Sequence, residues 1–120
     1  MPTQLLSPAA VGRANDGTLV FHTGVWLSPG GKSLFVGVVA EGRAAERYRR
    51  PSITIDDGKG LKINSFAFIG GAGPGCGHTW LLQAEVNAKD ASRLSGATLV
   101  MRYEDLALDY SARLADLTEQ

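Results

Sequence analysis

The residues with the greatest chemical potential are a cysteine and a histidine two positions apart in a glycine-rich segment. Cys76 and His78 belong to a loop of residues 70–78, and side chains at this spacing on an extended chain point to the same side. A thiolate and an imidazole can form a nucleophile with its base, or supply two metal ligands. Catalysis also needs an orienting group and an oxyanion site, and zinc needs four ligands, whereas the chain has one cysteine and one further histidine, His22. The sequence therefore predicts no catalytic residue, no metal site and no cofactor.

The glycines of this segment raise a second possibility, a phosphate site. Backbone N–H groups of a glycine-rich loop cradle phosphate when a helix follows and a Lys-Ser/Thr pair completes the motif. Residues 70–77 lack that pair, and residues 79–86 alternate as a strand does. We therefore favour an irregular surface loop between strands, starting at Gly70. His22 shares a predicted strand face with Trp26, and we expect it at the surface or rim of the fold.

A basic segment is the clearest shift in composition. It contains four arginines and a tyrosine, namely Arg43, Arg47, Tyr48, Arg49 and Arg50. Guanidinium groups beside an aromatic ring suit phosphates and carboxylates, although such a run is also typical of a solvated loop. Together with Trp26, Cys76 and His78, these residues are the candidate ligand-binding or partner-binding positions.

The tail carries the opposite charge. Its acidic residues outnumber Arg113, and they are Glu104, Asp105, Asp109, Asp116 and Glu119. Basic and acidic segments of one chain can meet across a subunit boundary, which favours a protein partner or a homo-oligomer. The formal net charge is zero, so no long-range field attracts nucleic acid, and we expect none as a partner.

The elements that must position these residues alternate between apolar and polar positions, with the period of a strand. Residues 18–28 and 33–41 predict a hairpin, with Leu34, Val36, Val38 and Ala40 on one side. Residues 52–56 and 61–69 predict a second hairpin, with a β-bulge at Asn64-Ser65. Further strands are predicted at 79–86, 97–104 and 106–114, the last with a helical alternative, and a short helix at 88–95. About seven strands and one helix predict an all-β antiparallel sandwich or flattened barrel.

The length of 120 residues fits one domain. We expect residues 1–17 to form an extended arm and residues 18–120 the β-sandwich domain. No apolar stretch approaches the roughly 20 residues of a membrane helix. The first ten residues do not resemble a signal peptide, so a cytoplasmic location is the default expectation. The periplasm or envelope is the alternative if the chain is a trimmed mature form.

The second half of the chain shows an ordered set of features from about residue 51 to residue 117. These are a strand ending in Asp56-Asp57-Gly58-Lys59, a return strand, a loop with Gly75-Cys76, a short helix ending at Gly96, and two strands. This order resembles the second half of the invasion-associated locus B family, which are bacterial periplasmic proteins with a β-sandwich domain. The resemblance implies an envelope-associated role without catalysis. That family has a second cysteine just upstream of the loop cysteine, whereas residues 65–72 contain none.

Two classes of function remain after these arguments. The first is a non-enzymatic interaction or assembly module that uses a sheet face, the basic segment or an edge strand. The alternative is a small ligand-binding or enzymatic sandwich that uses the loop of residues 70–78. We favour the first because the polar residues are scattered, without paired carboxylates at a defensible spacing.

Overall fold

Two antiparallel sheets pack face to face in the computed structural model, which describes residues 2–42, 51–72 and 77–115. The strands of the described residues are β1 Thr3–Leu6, β2 Ala9–Arg13, β3 Leu19–Leu27, β4 Ser33–Glu41, β5 Ser52–Asp56, β6 Lys62–Ile63, β7 Ala67–Ala72, β8 Gly77–Glu85, β9 Thr98–Tyr103 and β10 Leu108–Arg113. Sheet A has the order β1-β3-β4-β8-β7, with β2 also paired to β3, and sheet B has the order β10-β9-β5-β6. The predicted all-β sandwich is confirmed, and within the described residues neither sheet closes into a barrel.

The core lies between the two sheets and follows the predicted alternation. The side of β4 formed by Leu34, Val36, Val38 and Ala40 is fully buried. It packs in one cluster with inward residues of the other strands, which include Trp80, Leu82, Ile53, Ile55, Leu99 and Met101. Burial of one set of alternate residues sets the register, because a slip by one residue would expose the whole set.

The N-terminal residues are extended, but they belong to the sheet and do not form an arm beside it. β1 pairs with the second half of β3, and β2 pairs with the first half. The turn at Asp16 and Gly17 follows β2, and the Asp16 carboxylate accepts a hydrogen bond of 2.9 Å from the Thr18 N–H. The N-terminal segment therefore completes one edge of sheet A.

The prediction of uninterrupted alternation along residues 18–28 is wrong. The β3–β4 register shifts between His22 and Val25, and Gly24 adopts a φ of 100°. Only glycine fits there, because a Cβ would lie 2.7 Å from the Leu6 carbonyl oxygen. This bulge turns Val20 and His22 inward before it and Val25 inward after it.

The predicted return strand of residues 61–69 is also corrected. Its first part, β6, pairs with β5 in sheet B, whereas its second part, β7, pairs with β8 in sheet A. Asn64 and Ser65 lie in the connection where the chain passes from one sheet to the other. The bend was predicted at the right place, but it is a crossing between sheets and not a bulge within one strand.

The glycine-rich residues are more regular than predicted. β7 continues through Gly70 to Ala72, and β8 begins at Gly77, so these glycines are strand residues. The predicted helix at 88–95 is a 3-10 helix, Ala88–Leu94, and Gly96 after it has a φ of 87°. The tail is a strand, β10, as favoured, joined to β9 by a short 3-10 turn, Glu104–Leu106.

Candidate functional site

The outer face of sheet A is apolar where an antiparallel sheet normally faces water with polar residues. Cross-strand pairing places Phe21 beside Val39, and Trp26 beside Phe35, on the side opposite the buried core. Leu81 of β8 pairs with Gly37 on the same side. We call this surface the outer A face, and its apolar members are Leu19, Phe21, Trp26, Phe35, Val39 and Leu81.

Charged residues lie only at the ends of this face among the described outward residues of β3, β4 and β8. Glu41 lies at one end of β4, and Glu85 pairs with Ser33 at the other end. The outward positions between them are uncharged, and they are Leu19, Phe21, Thr23, Trp26, Phe35, Gly37, Val39, Thr79, Leu81 and Gln83. A partner that contacts the centre of the outer A face would therefore bury apolar side chains and would remove no charged side chain of this face from water.

The outer face of sheet B is a control within the same molecule, because its residues are mostly polar, with Val100 as an exception. Its exposed side chains include Asp56, Thr98, Ser111 and Arg113. Arg102 donates a hydrogen bond of 3.1 Å from Nε to Asp109 Oδ1 across β9 and β10, and both side chains are mostly exposed. Sheet B thus has the pattern of a solvated face, and sheet A does not.

The exposed large hydrophobic side chains of the described residues are concentrated on β7 and β8. Phe68 is 51% exposed, Ile69 47% and Leu81 40%. Phe68 pairs with the buried Leu82 and so points to the inner side of sheet A, whereas Ile69 lies at a register shift between Phe68 and Gly70.

The predicted site residues are not brought together by the described part of the chain. Arg43, Arg47, Tyr48, Arg49, Arg50 and Cys76 lie outside the described residues. Trp26 lies on the outer A face, and His78 lies on the inner side of sheet A opposite the buried Ala40. Trp26 and His78 therefore belong to opposite surfaces of one sheet.

His78 begins a row of three aromatic rings that connects the sheets. Its ring centroid lies 4.5 Å from that of Trp80, and the Trp80 centroid lies 5.9 Å from that of Tyr103 in an edge-to-face arrangement. The Nδ1 atom of His78 is buried and has no hydrogen-bond partner among the described residues. Packing geometry of this kind contributes about 0.5–1.5 kcal/mol per aromatic pair, so the row has a clear structural role.

His22 is fully buried, which overturns its predicted position at the rim. Its Nδ1 accepts a hydrogen bond of 3.1 Å from the Gly24 N–H, so Nε2 carries the ring proton and donates to the Tyr110 hydroxyl at 3.1 Å. Burial lowers the pKa of His22 and raises that of Tyr110. This contact between residues 22 and 110 joins the two sheets, and no local sequence signal predicts it.

Asp56 and Asp57 are adjacent in sequence and lie at the turn that follows β5. Asp57 Oδ1 accepts hydrogen bonds from the N–H groups of Lys59 and Leu61, and Asp57 Oδ2 pairs with Arg93 of the 3-10 helix at 2.8 Å. Desolvation acts to raise the pKa of Asp57, but the backbone donors and Arg93 outweigh it and lower the pKa. These interactions give the Asp57 carboxylate a structural role in the turn.

The clefts of the described surface are open and mixed in polarity. One of them, about 430 Å³, lies at the crossing between the sheets and includes Lys62, Asn64, Ser65 and Glu85. Among the described residues, no group of three or more His, Cys, Asp or Glu side chains could hold a metal. The apolar surface of sheet A is therefore a better candidate than any described cleft.

Comparisons with known proteins assign no family to the chain. No protein-family model, no curated protein and no solved structure matches it. The resemblance to the invasion-associated locus B family stays a prediction. Within the described residues, no helix has the length and apolar character needed to cross a membrane.

Proposed function

We propose that this protein is a non-enzymatic interaction or assembly module and that the outer A face is its contact surface for a protein partner. The observation that carries this proposal is the contrast between the two sheets, since the outer A face is apolar and the outer face of sheet B is charged. The fold itself needs only one buried face per sheet. Its apolar side chains are half-buried, apart from the exposed Leu81, and apolar surface that stays accessible on a folded domain favours a site of association.

The outer A face is large enough for a specific complex. β4 is nine residues long, about 30 Å at roughly 3.4 Å per residue, and the four strands β3, β4, β8 and β7 span roughly 20 Å. Their product of about 600 Å² is close to the ~800 Å² per partner of a standard interface. The aromatic residues Phe21, Trp26 and Phe35 are of the type enriched in such interfaces, and the charged residues stand at the periphery.

Site-specific photo-cross-linking in cells that produce the protein tests this proposal. A photoreactive residue at Leu81 should yield a discrete adduct heavier than the 12.7 kDa chain, and the same residue at Ser111 on sheet B should not. A second substitution, Val39→Lys, should remove the Leu81 adduct because it places a charge in the centre of the contact. Similar adducts at both positions, or none at Leu81, would contradict the proposal.

The alternative, a ligand-binding or enzymatic site at residues 70–78, has one observation in its favour. His78 Nδ1 is buried beside Trp80 without a partner among the described residues. A functional thiolate–imidazole pair would make Cys76 react with a thiol reagent faster at neutral pH than a free thiol does. An ordinary rate, unchanged by His78→Gln, would eliminate this alternative.

A further inference from the structure

The cleft at the crossing between the sheets contains opposite charges that do not pair with each other. It lies where the chain leaves β6 and enters β7, and its volume is about 430 Å³. Its lining includes Lys62, Ile63, Asn64, Ser65, Gln83 and Glu85. Sites that hold small molecules have volumes of about 300–1,000 Å³, so the cleft is large enough for a compact ligand.

The two charged side chains of this cleft have no partner among the described residues. Neither the Lys62 ammonium group nor the Glu85 carboxylate makes a hydrogen bond or an ion pair there. Lys62 lies opposite Asp56 in the register of β5 and β6, yet these two side chains are not paired either. The cleft therefore presents one cation and one anion whose hydrogen-bonding capacity is unused.

Neutral groups of the same cleft add hydrogen-bond donors and acceptors. Gln83 Nε2 donates a hydrogen bond of 3.1 Å to Ser33 Oγ, and this bond uses a donor of the amide but none of its acceptor capacity. The side chains of Asn64 and Ser65 are exposed and make no hydrogen bond with described residues. The buried Ile63 supplies an apolar part of the lining. Beside its two charges, the cleft thus suits a ligand whose remaining groups are uncharged.

We propose that this cleft binds a free α-amino acid with an uncharged side chain, its carboxylate at Lys62 and its ammonium group at Glu85. A zwitterion satisfies both charges of the cleft at once, whereas a simple anion or cation would pair with one charge and be repelled by the other. This proposal goes beyond the function above, because it concerns a small molecule at the crossing between the sheets. It does not depend on a partner at the outer A face, although Glu85 also lies at one end of that face.

Nuclear magnetic resonance titration of the ¹⁵N-labelled full chain at neutral pH tests the proposal. The probes are L-serine, L-asparagine and L-leucine, each added alone at constant ionic strength. At least one of them should shift the backbone amide signals of Ser65 and Glu85 in a saturable way and leave that of Ser111, on sheet B, unchanged. We expect a millimolar Kd, because the cleft is open and its charged side chains are exposed. If none of the three probes gives saturable shifts at the cleft, the proposal is wrong.

Substitutions and modified ligands separate recognition of a zwitterion from adventitious binding. Lys62→Gln and Glu85→Gln should each weaken binding about twofold to fivefold, the effect of an exposed ion pair, whereas Lys89→Gln, at an exposed position outside the cleft, should not.

The N-acetyl derivative of the bound amino acid lacks the ammonium group, so it should bind more weakly to the unsubstituted chain, and Glu85→Gln should not weaken it further. Equal binding of the parent and acetylated ligands, or equal losses in all three variants, would overturn the proposal. Neither result would change the cross-linking expected at Leu81, so the function proposed above is tested separately.

Discussion

Acidification below about pH 6.5 should destabilise this fold through His22. The ring is fully buried, its Nδ1 accepts the Gly24 N–H, and its Nε2–H donates to Tyr110. A second ring proton must sit on Nδ1, where it would face the Gly24 N–H, a second donor. Protonation therefore breaks the bond that holds the β3 bulge and buries a charge, in agreement with the lowered pKa of His22.

The sign and size of this effect follow from proton linkage. In the unfolded chain His22 titrates near its ordinary pKa of 6.5, whereas burial keeps it neutral to lower pH in the folded state. Between the two pKa values the unfolded state binds more protons, so the free energy of unfolding decreases as the pH falls. For one proton, the free energy of unfolding cannot change by more than about 1.4 kcal/mol per pH unit. If the ring stays neutral in the folded state, the free energy of unfolding decreases by about 1 kcal/mol from pH 6.5 to 5.5. The corresponding decrease in Tm is roughly 4 °C.

Urea denaturation followed by tryptophan fluorescence between pH 7.5 and 5 measures this slope. The unsubstituted chain and the control His78→Gln should lose stability with acidification, whereas His22→Gln should be less stable throughout but lack the slope. Asp57 does not interfere, because its pKa lies below 3.8 and its contribution is lost only in more acidic solution. If the free energy of unfolding of His22→Gln decreased with acidification as steeply as that of the unsubstituted chain, the pH dependence would not arise from His22.

The remaining predictions concern backbone strain and core packing. Gly24→Ala should cost about 1–3 kcal/mol more than Gly58→Ala in urea denaturation. Both glycines have positive φ, so that strain cancels in the comparison, and only Gly24 has a backbone oxygen, of Leu6, within 3 Å of a new Cβ. Met101→Ala should lower the free energy of unfolding by about 2–5 kcal/mol because the side chain is fully buried, whereas the neighbouring Arg102→Ala should change it by less than about 1 kcal/mol. Equal effects within either pair would refute the reasoning.

Much of the fold could be predicted from alternation, because sheet faces repeat every two residues. The buried sets on β4 and β8 follow from the sequence alone, and so do the strands that contain Ile53 and Leu99. The crossing at Asn64 was visible only as a phase change in the apolar pattern. Such a change has the same sequence signature whether the strand bulges or passes to another sheet, so the sequence alone could not decide between them.

A second feature of the sequence, apart from alternation, indicates the outer A face. Residues 34–40 read Leu-Phe-Val-Gly-Val-Val-Ala, an almost continuous apolar run, and such runs are typical of strands covered on both faces. The prediction that Leu34, Val36 and Val38 point inward does not explain why Phe35 and Val39, on the other side of the strand, are also apolar. The His22–Tyr110 contact was beyond prediction, since the Gly24 bulge that turns His22 inward depends on the close approach of β1.

The core between the two sheets does not account for the apolar residues on the outer A face. The core between the sheets is complete without these side chains, as the burial of Leu34, Val36 and Leu82 shows. The side chains of Ile69 and Leu81 remain 47% and 40% exposed. Each therefore buries less apolar surface on folding, and contributes less to the free energy of folding, than a core residue of similar size. Sheet B shows that this sandwich accommodates a charged outer face, so the fold does not demand an apolar one. Association at the outer A face, as proposed above, would bury part of the apolar surface that the described residues leave exposed.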